Sequence, residues 1–200
     1  MSLPQGLYAI ADAGFGDPYD LALALARNSC PLIQLRAKGW PKTEVTSVAA
    51  RLVGPIHEMG AKLIINDHAD IAAEVGADGV HIGQEDGSVD QARSLLGPDA
   101  LIGLSTHTIS QVLSAGPADY IGFGPVFTTS TKDAAGSPRG VDALRSAVQA
   151  SKVPVIAIGG ITHQNLASVQ STGAHGWAIV RDLLGSGSLE HNLQRLSIQP

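Results

Sequence analysis

KLIINDHADIAAEVGADGVHIG, residues 62–83, decides how the rest of the chain is read. Its two ends, 62–67 and 79–83, are short runs whose apolar residues stand at consecutive positions, and a segment of helical period lies between them. Consecutive apolar residues fit a strand covered on both faces, which is the environment of a parallel sheet. The stretch therefore reads as strand, helix, strand.

The same alternation extends in both directions. Strand-like runs occur at LYAIAD (7–12), LIQLR (32–36), LIGLST (101–106), YIGFGPV (120–126), VPVIAIGG (153–160) and GWAIVRD (176–182), which with the two above makes eight. Helix signals fall between them. Asp17-Pro18 places a cap before a first-turn proline, and Val45, Val48, Ala49, Leu52, Val53 and Ile56 form one face of the second helix. Ser88-x-x-Gln91 and Thr108-x-x-Gln111 read as capping boxes, and Gly97 and Gly173 stand where C-caps belong. Eight strands alternating with helices in 200 residues predict a single (β/α)8 TIM barrel over 1–200, with no linker or composition shift to mark a second domain. The rival is an open doubly wound sheet. It would need a glycine-rich phosphate turn after the first strand, and YAIADAGFGD imitates that turn without a following helix at the right spacing.

Composition narrows the function classes. A chain with 44% hydrophobic and 16% charged residues can bury one sizeable core. The beginning, MSLPQGLYAIAD, has no basic segment followed by a long apolar one, and no apolar run reaches the roughly 18–20 residues of a membrane span, so a cytoplasmic protein is expected. A net charge of −5 argues against a nucleic-acid or anionic-membrane surface. The single cysteine, Cys30, is expected to be a small buried side chain.

In a barrel of this kind the chemistry lies at the carboxyl ends of the strands. Read in order, those ends carry Gln34-x-Arg36-x-Lys38, Asn66-Asp67, Gln84-Glu85-Asp86, Ser105 with His107, the hydroxyl run Thr128–Thr131 with Lys132, Gly159-Gly160, and Val180-Arg181. Each has an ordinary reading when taken singly, as a solvated cation, a cap or a turn. Their convergence on one rim is informative. Carboxylates among cations suit Mg²⁺, which takes one or two carboxylates together with phosphate oxygens, and this implies a diphosphate ligand. The glycine pair after the seventh strand, with the end of the eighth, is a backbone phosphate site. A reaction joining a diphosphate ester to a monophosphate would use both.

QLRAK, INDHADIA, GADGVHIGQED, GLSTHT, ADYIGFGPVFTTSTK and VPVIAIGGI, in this order and spacing, resemble the thiamine-phosphate synthase family from Tyr8 to about Leu183. The resemblance implies a (β/α)8 barrel that couples a hydroxymethylpyrimidine diphosphate to a thiazole phosphate carboxylate or its analogue, with Mg²⁺, and releases pyrophosphate. It implies that Gln34, Arg36, Lys38, Asn66 and Lys132 hold the diphosphate, with Arg36, Lys38 and Lys132 acting on the departing charge. Asp67 and Asp86 would hold the metal and Ser105 would contact the aminopyrimidine. Thr129, Thr131, Gly160 and the backbone of Val180 and Arg181 would take the thiazole phosphate. The segment 128–140 would form a lid. Small-molecule substrates are the expected partners, without nucleic acid or membrane, and a homodimer is among the assemblies the reading allows.

Two other functions stay open at this level. The sister thiazole tautomerases share the barrel, but where they place a proton-carrying histidine after the sixth strand this chain has Pro125. His107 is expected to support a loop. A regulatory barrel that binds a thiamine precursor without turning it over is the other alternative. The chain also departs from the synthase pattern where Arg181 and Asp182 follow the eighth strand in place of a small serine, and the Arg181 side chain is expected to point outward. Trp177 stands in a strand that commonly has smaller residues.

Overall fold

The computed structural model describes residues 2–129 and 137–196. Eight parallel strands follow one another in chain order: β1 (Gly6–Asp12), β2 (Leu32–Arg36), β3 (Lys62–Asn66), β4 (Gly79–Ile82), β5 (Leu101–Thr106), β6 (Tyr120–Phe123), β7 (Val155–Ala157) and β8 (Gly176–Ile179). Each pairs with its predecessor, and β8 pairs with β1, so the sheet closes into a barrel. The open-sheet alternative is thereby excluded. Among the described residues the helices are α1 (Pro18–Arg27), α2 (Lys42–Glu58), α3 (Ala69–Val75), α4 (Val89–Leu96), α5 (Ile109–Leu113), α6 (Val141–Ala150), α7 (Leu166–Gln170), α8 (Arg181–Leu184) and α9 (Leu189–Leu196). None is long and apolar enough to cross a membrane.

Local chemistry sets these boundaries. Asp17 caps α1, accepting from the N–H groups of Tyr19 and Asp20, and Ser88 and Gln91 complete the capping box of α4. At α5 only half of the expected box forms. Thr108 accepts from Gln111 N–H, whereas the Gln111 side chain turns back one residue further and accepts from His107 N–H at 2.7 Å. The later strands are shorter than their apolar runs because proline has no N–H for a ladder. Pro125 confines β6 to 120–123, and Pro154 delays β7 to Val155. At the end of the eighth run, Arg181 and Asp182 begin α8 instead of continuing the strand.

Apolar residues occupy two layers. The outer one lies between strands and helices: Ile33, Leu35, Leu63 and Ile65 face Val45, Ala49, Leu52 and Ile56 of α2, all buried. Cys30 belongs to this layer, and its burial pushes the thiol up to about 11. The inner layer fills the barrel with Tyr8, Leu32, Ile64, Leu101, Tyr120, Ile156 and Ala178. Because a strand alternates faces, residues two apart from these also point inward, which directs Asp12, Gln34, Arg36, Asn66, His81 and Ser105 up the barrel axis.

Large rings fit inside only because their neighbours are small. At Gly103, which pairs in register with Tyr120, a methyl group would lie 2.2 Å from Tyr120 Cζ and 2.5 Å from His81 Nδ1. Tyr120 is fully buried, so its ring has nowhere to retreat. Gly103→Ala should therefore cost about 2 kcal/mol or more of stability. Urea unfolding checks this: the midpoint should fall with an unchanged slope. A midpoint equal to the parent's would show that the rings yield freely.

Candidate active site at the carboxyl end of the barrel

A cavity of about 630 Å³ opens at the carboxyl ends of the strands and descends into the barrel. Its floor is a chain of polar groups. Gln34 Nε2 donates to Tyr8 OH at 2.8 Å, Tyr8 OH and Tyr120 OH are 3.0 Å apart, and Tyr120 OH lies 3.2 Å from His81 Nδ1. His81 Nε2 in turn lies 2.9 Å from Ser105 Oγ, and Gln84 Nε2 donates to the Ser105 carbonyl at 2.7 Å. Burial is the main cause holding the Tyr8 and Tyr120 hydroxyls well above the usual phenol range, so both remain neutral donors.

One half of the rim, at the ends of β2 to β4, is built from charged side chains. Arg36 pairs with the buried Asp12 directly across the β1–β2 register, and Asp12 Oδ1 also accepts from Gly14 N–H at 2.8 Å. The pair fixes the guanidinium at the cavity wall. Lys38 Nζ, largely exposed, lies 3.6 Å from Asp67 Oδ2. Asp67 has a left-handed backbone, φ 64°, held by its N–H donating to the His81 carbonyl at 2.8 Å. That turn brings its carboxyl beside Asp86, whose Oδ2 accepts from Gly83 N–H at 2.8 Å. Burial first, and then the neighbouring Asp86, hold Asp67 above the usual carboxylate range, although Lys38 and Asn66 pull it down.

The other half, at the ends of β6 to β8, is built from backbone. Val126 and Phe127 N–H donate to the carbonyls of Ile158 and Gly159 at 2.8 and 3.0 Å, which lays Thr128 and Thr129 against the Gly159-Gly160 turn. A side chain at Gly160 (φ 66°) would lie 2.5 Å from the Thr128 carbonyl, so only glycine permits this approach. Asn165 braces the turn by donating to the Gly160 carbonyl at 3.0 Å. Val180 and Arg181 border the same side. Arg181 is exposed but does not point away from the site as expected: its guanidinium lies 5.4 Å above the Phe15 ring, at the cavity mouth.

Gln34, Arg36, Lys38, Asn66, Asp67, Asp86, Ser105, Thr129, Gly160, Val180 and Arg181 thus all line this one cavity. Thr131 and Lys132 lie outside the described residues, as does most of the expected lid. His107 Nδ1 is 2.6 Å from the Gly124 carbonyl, a contact that braces the end of β6. The sequence reading missed Asp12, Tyr8, His81 and Arg195, which also line the cavity. A histidine at an inward position of an otherwise apolar strand was the available signal for His81; for Arg195 there was none.

The carboxyl pair is suited to a divalent cation. Among the described residues no group of three or more acidic, histidine or cysteine ligands converges, so a hard ion here would complete its shell with ligand oxygens.

The family described as thiamine monophosphate synthase matches residues 7–183. Thiamine-phosphate synthase from Myxococcus xanthus is 37% identical over 199 residues, covering 97% of this chain and 91% of that protein. A thiamine biosynthesis bifunctional protein from Symbiobacterium thermophilum is 43% identical over 171 residues, and the match spans 84% of this chain but 36% of that longer one. Among solved structures, thiamine phosphate pyrophosphorylase from Pyrococcus furiosus superposes with a TM-score of 0.87 at 31% identity, over 96% of this chain and 93% of that one.

A raised carboxyl pKa has a consequence for stability. The folded state binds the Asp67 proton more tightly than the unfolded chain does. The stability this lends is complete below the unfolded value of about 3.9 and is lost as pH rises through the higher folded value. In metal-free protein at neutral pH the Asp67 charge is therefore a net cost. Asp67→Asn removes that charge, and asparagine tolerates φ 64°. Its melting temperature at pH 8 should exceed the parent's by about 2 °C or more, and the gain should vanish near pH 3. Calorimetric scans at the two pH values check this, and a lower melting temperature for the variant at pH 8 would contradict it.

Proposed function

The chain belongs to the thiamine monophosphate synthase family, and from that membership we propose that it joins a hydroxymethylpyrimidine diphosphate to a thiazole phosphate, giving thiamine phosphate and pyrophosphate. The observation that carries the reading is the division of the rim over a polar floor. A cation-and-carboxylate half stands beside a glycine-backbone half, separated by no more than the width of one cavity.

In this reading the bond from the pyrimidine methylene carbon to oxygen breaks, its electron pair leaves with pyrophosphate, and the thiazole nitrogen supplies the pair for the new carbon–nitrogen bond. Arg36 and Lys38 face the departing diphosphate, and Asn66 donates to it. Lys132, by the sequence motif, joins them. Asp67 and Asp86 would hold Mg²⁺, which when bound supplies positive charge to the phosphate oxygens. Preorganised cations of this kind typically contribute several kcal/mol to a step that develops negative charge. Asp12 holds Arg36 in place, so the guanidinium need not reorganise as charge appears.

Ser105 and the floor beneath it suit the aminopyrimidine ring. Gln34 is expected at the diphosphate; its Nε2 donates one hydrogen to Tyr8, which leaves its second N–H and its amide oxygen to meet a ligand. Thr129, Gly160 and the Val180-Arg181 backbone suit the thiazole phosphate, with Thr131 added by motif. A tautomerase reading has less support: Pro125 carries no proton, and His107 is engaged with the Gly124 carbonyl.

Incubation with Mg²⁺, the pyrimidine diphosphate and the thiazole phosphate should give thiamine phosphate and pyrophosphate in equal amounts. EDTA should stop both. Asp86→Ala should lower turnover by about 10²–10³, the scale of a lost electrostatic contact to the leaving group. Isomerised thiazole without pyrophosphate, from folded and Mg²⁺-supplied protein, would instead identify a tautomerase.

A further inference from the structure

The backbone-built half of the rim carries two guanidinium groups that strand-end reading does not account for together. Arg181 lies over the Phe15 ring, and Arg195 reaches the same cavity from α9. Arg36, Arg93 and Arg145 are each paired with an aspartate. Among the described residues, Arg181 and Arg195 have no carboxylate partner.

Arg195 is nevertheless held. Its Nη2 rests against the imidazole of His163, 2.5 Å from Nδ1 and 2.6 Å from Nε2. His163, in the loop after β7, is itself fixed by Asp182 at the start of α8. Asp182 Oδ2 accepts from the His163 backbone N–H at 2.8 Å and lies 3.1 Å from its Nδ1. The imidazole face can seat a guanidinium, and the carboxylate behind it orients the ring. Asp182 also borders the cavity; its carboxylate faces His163 and makes no direct contact with either arginine. Holding a long cationic side chain still costs rotamer entropy. An exposed cation that leans on an imidazole and forms no direct ion pair, at the mouth of a cavity, is placed to meet an anion that arrives.

We propose that Arg195 is a specificity residue for the phosphate of the second substrate, with His163 and Asp182 as its positioning residues. The inference rests on the coupling reading above. Two guanidiniums match the charge of a phosphomonoester dianion, and guanidinium–phosphate contacts are among the stronger hydrogen bonds. The arrangement selects the phosphorylated thiazole over its alcohol. It draws on the last helix of the fold, beyond the residues matched by the family.

The test compares the parent with R195M, which keeps the apolar stem, and with R195Q, each first checked for an unchanged melting temperature. Isothermal titration with thiazole phosphate, and separately with the unphosphorylated thiazole alcohol, reads the site directly. Steady-state kinetics read the KM for each substrate. Both variants should weaken binding of the phosphate, and raise its KM, by roughly tenfold to a hundredfold. Binding of the alcohol and the KM for the pyrimidine diphosphate should change by less than about twofold. H163A should produce part of the loss and add nothing in the R195M background, which a general packing role would not do. Phosphate binding within about twofold of the parent in R195M, or equal losses on phosphate and alcohol, would overturn the proposal. Additive losses for H163A and R195M would overturn the positioning role. If the parent releases no pyrophosphate but binds thiazole phosphate in an Arg195-dependent way, the coupling reading fails and this inference stands.

Discussion

A hydrogen-bonded chain running from Gln34 through Tyr8, Tyr120 and His81 to Ser105 crosses the barrel interior and joins β2, β1, β6, β4 and β5. Inside a closed barrel these groups have little access to water, and an unpaired polar group there would cost on the order of 1–3 kcal/mol. Each satisfies the next. The chain therefore acts as one unit, since removing any member strands its neighbour. It also fixes the depth of the cavity: below it lie apolar side chains such as Leu32, Ile64 and Leu101, and above it polar groups share the wall with Ile10 and Ile158. A ligand ring that settles on this floor has its substituents placed at the height of Arg36, Asp67 and Asp86.

The rim above the floor is assembled by backbone devices that look unrelated in sequence. The left-handed turn at Asp67 and the Gly83 N–H held by Asp86 bring two carboxyls together, although 18 residues and a helix separate them. The close approach of Thr128 to Gly160 does the same for a hydroxyl loop and a glycine turn. Both depend on parallel closure, because parallel strands put their carboxyl ends on one side and closure gathers those ends around one cavity.

That dependence explains what could be read from the chain alone. Once consecutive apolar runs implied parallel strands, the strand ends became neighbours, and Arg36, Asn66, Asp67, Asp86, Ser105 and Gly160 could be grouped without coordinates. Strand length was less legible. Apolarity continues past Phe123 to the buried Val126 and begins before Val155 at the half-buried Val153, but Pro125 and Pro154 have no N–H to give a ladder, so the strands are shorter than the apolar runs. His81 and Tyr8 were hidden because buried strands are expected to be apolar, and a polar residue within one is visible only when its inward phase is known. Asp12 sat at a strand end but reads as an ordinary turn residue until its register partner, Arg36, is identified. Arg195 was out of reach for a different reason. Its link to His163 comes from how α9 packs back on α8, and no periodicity encodes that.

The electrostatics of the two rim halves are opposite in sense. At Asp67 and Asp86 negative groups are crowded until one of them resists ionisation, a state that a cation relieves. At Arg181 and Arg195 positive groups stand without carboxylates, a state that an anion relieves. The two cannot relieve each other, since each is fixed to its own side by local contacts: Gly83 and Lys38 on one, Phe15 and His163 on the other. A chain with a net charge of −5 could readily have neutralised its arginines from within. Among the described residues Arg181 and Arg195 form no direct ion pair, and both stand at the cavity mouth. Under the proposed function, a cation on one side and an anion on the other would complete the folded state's own charge balance, and affinity would come partly from relief of a cost present without them.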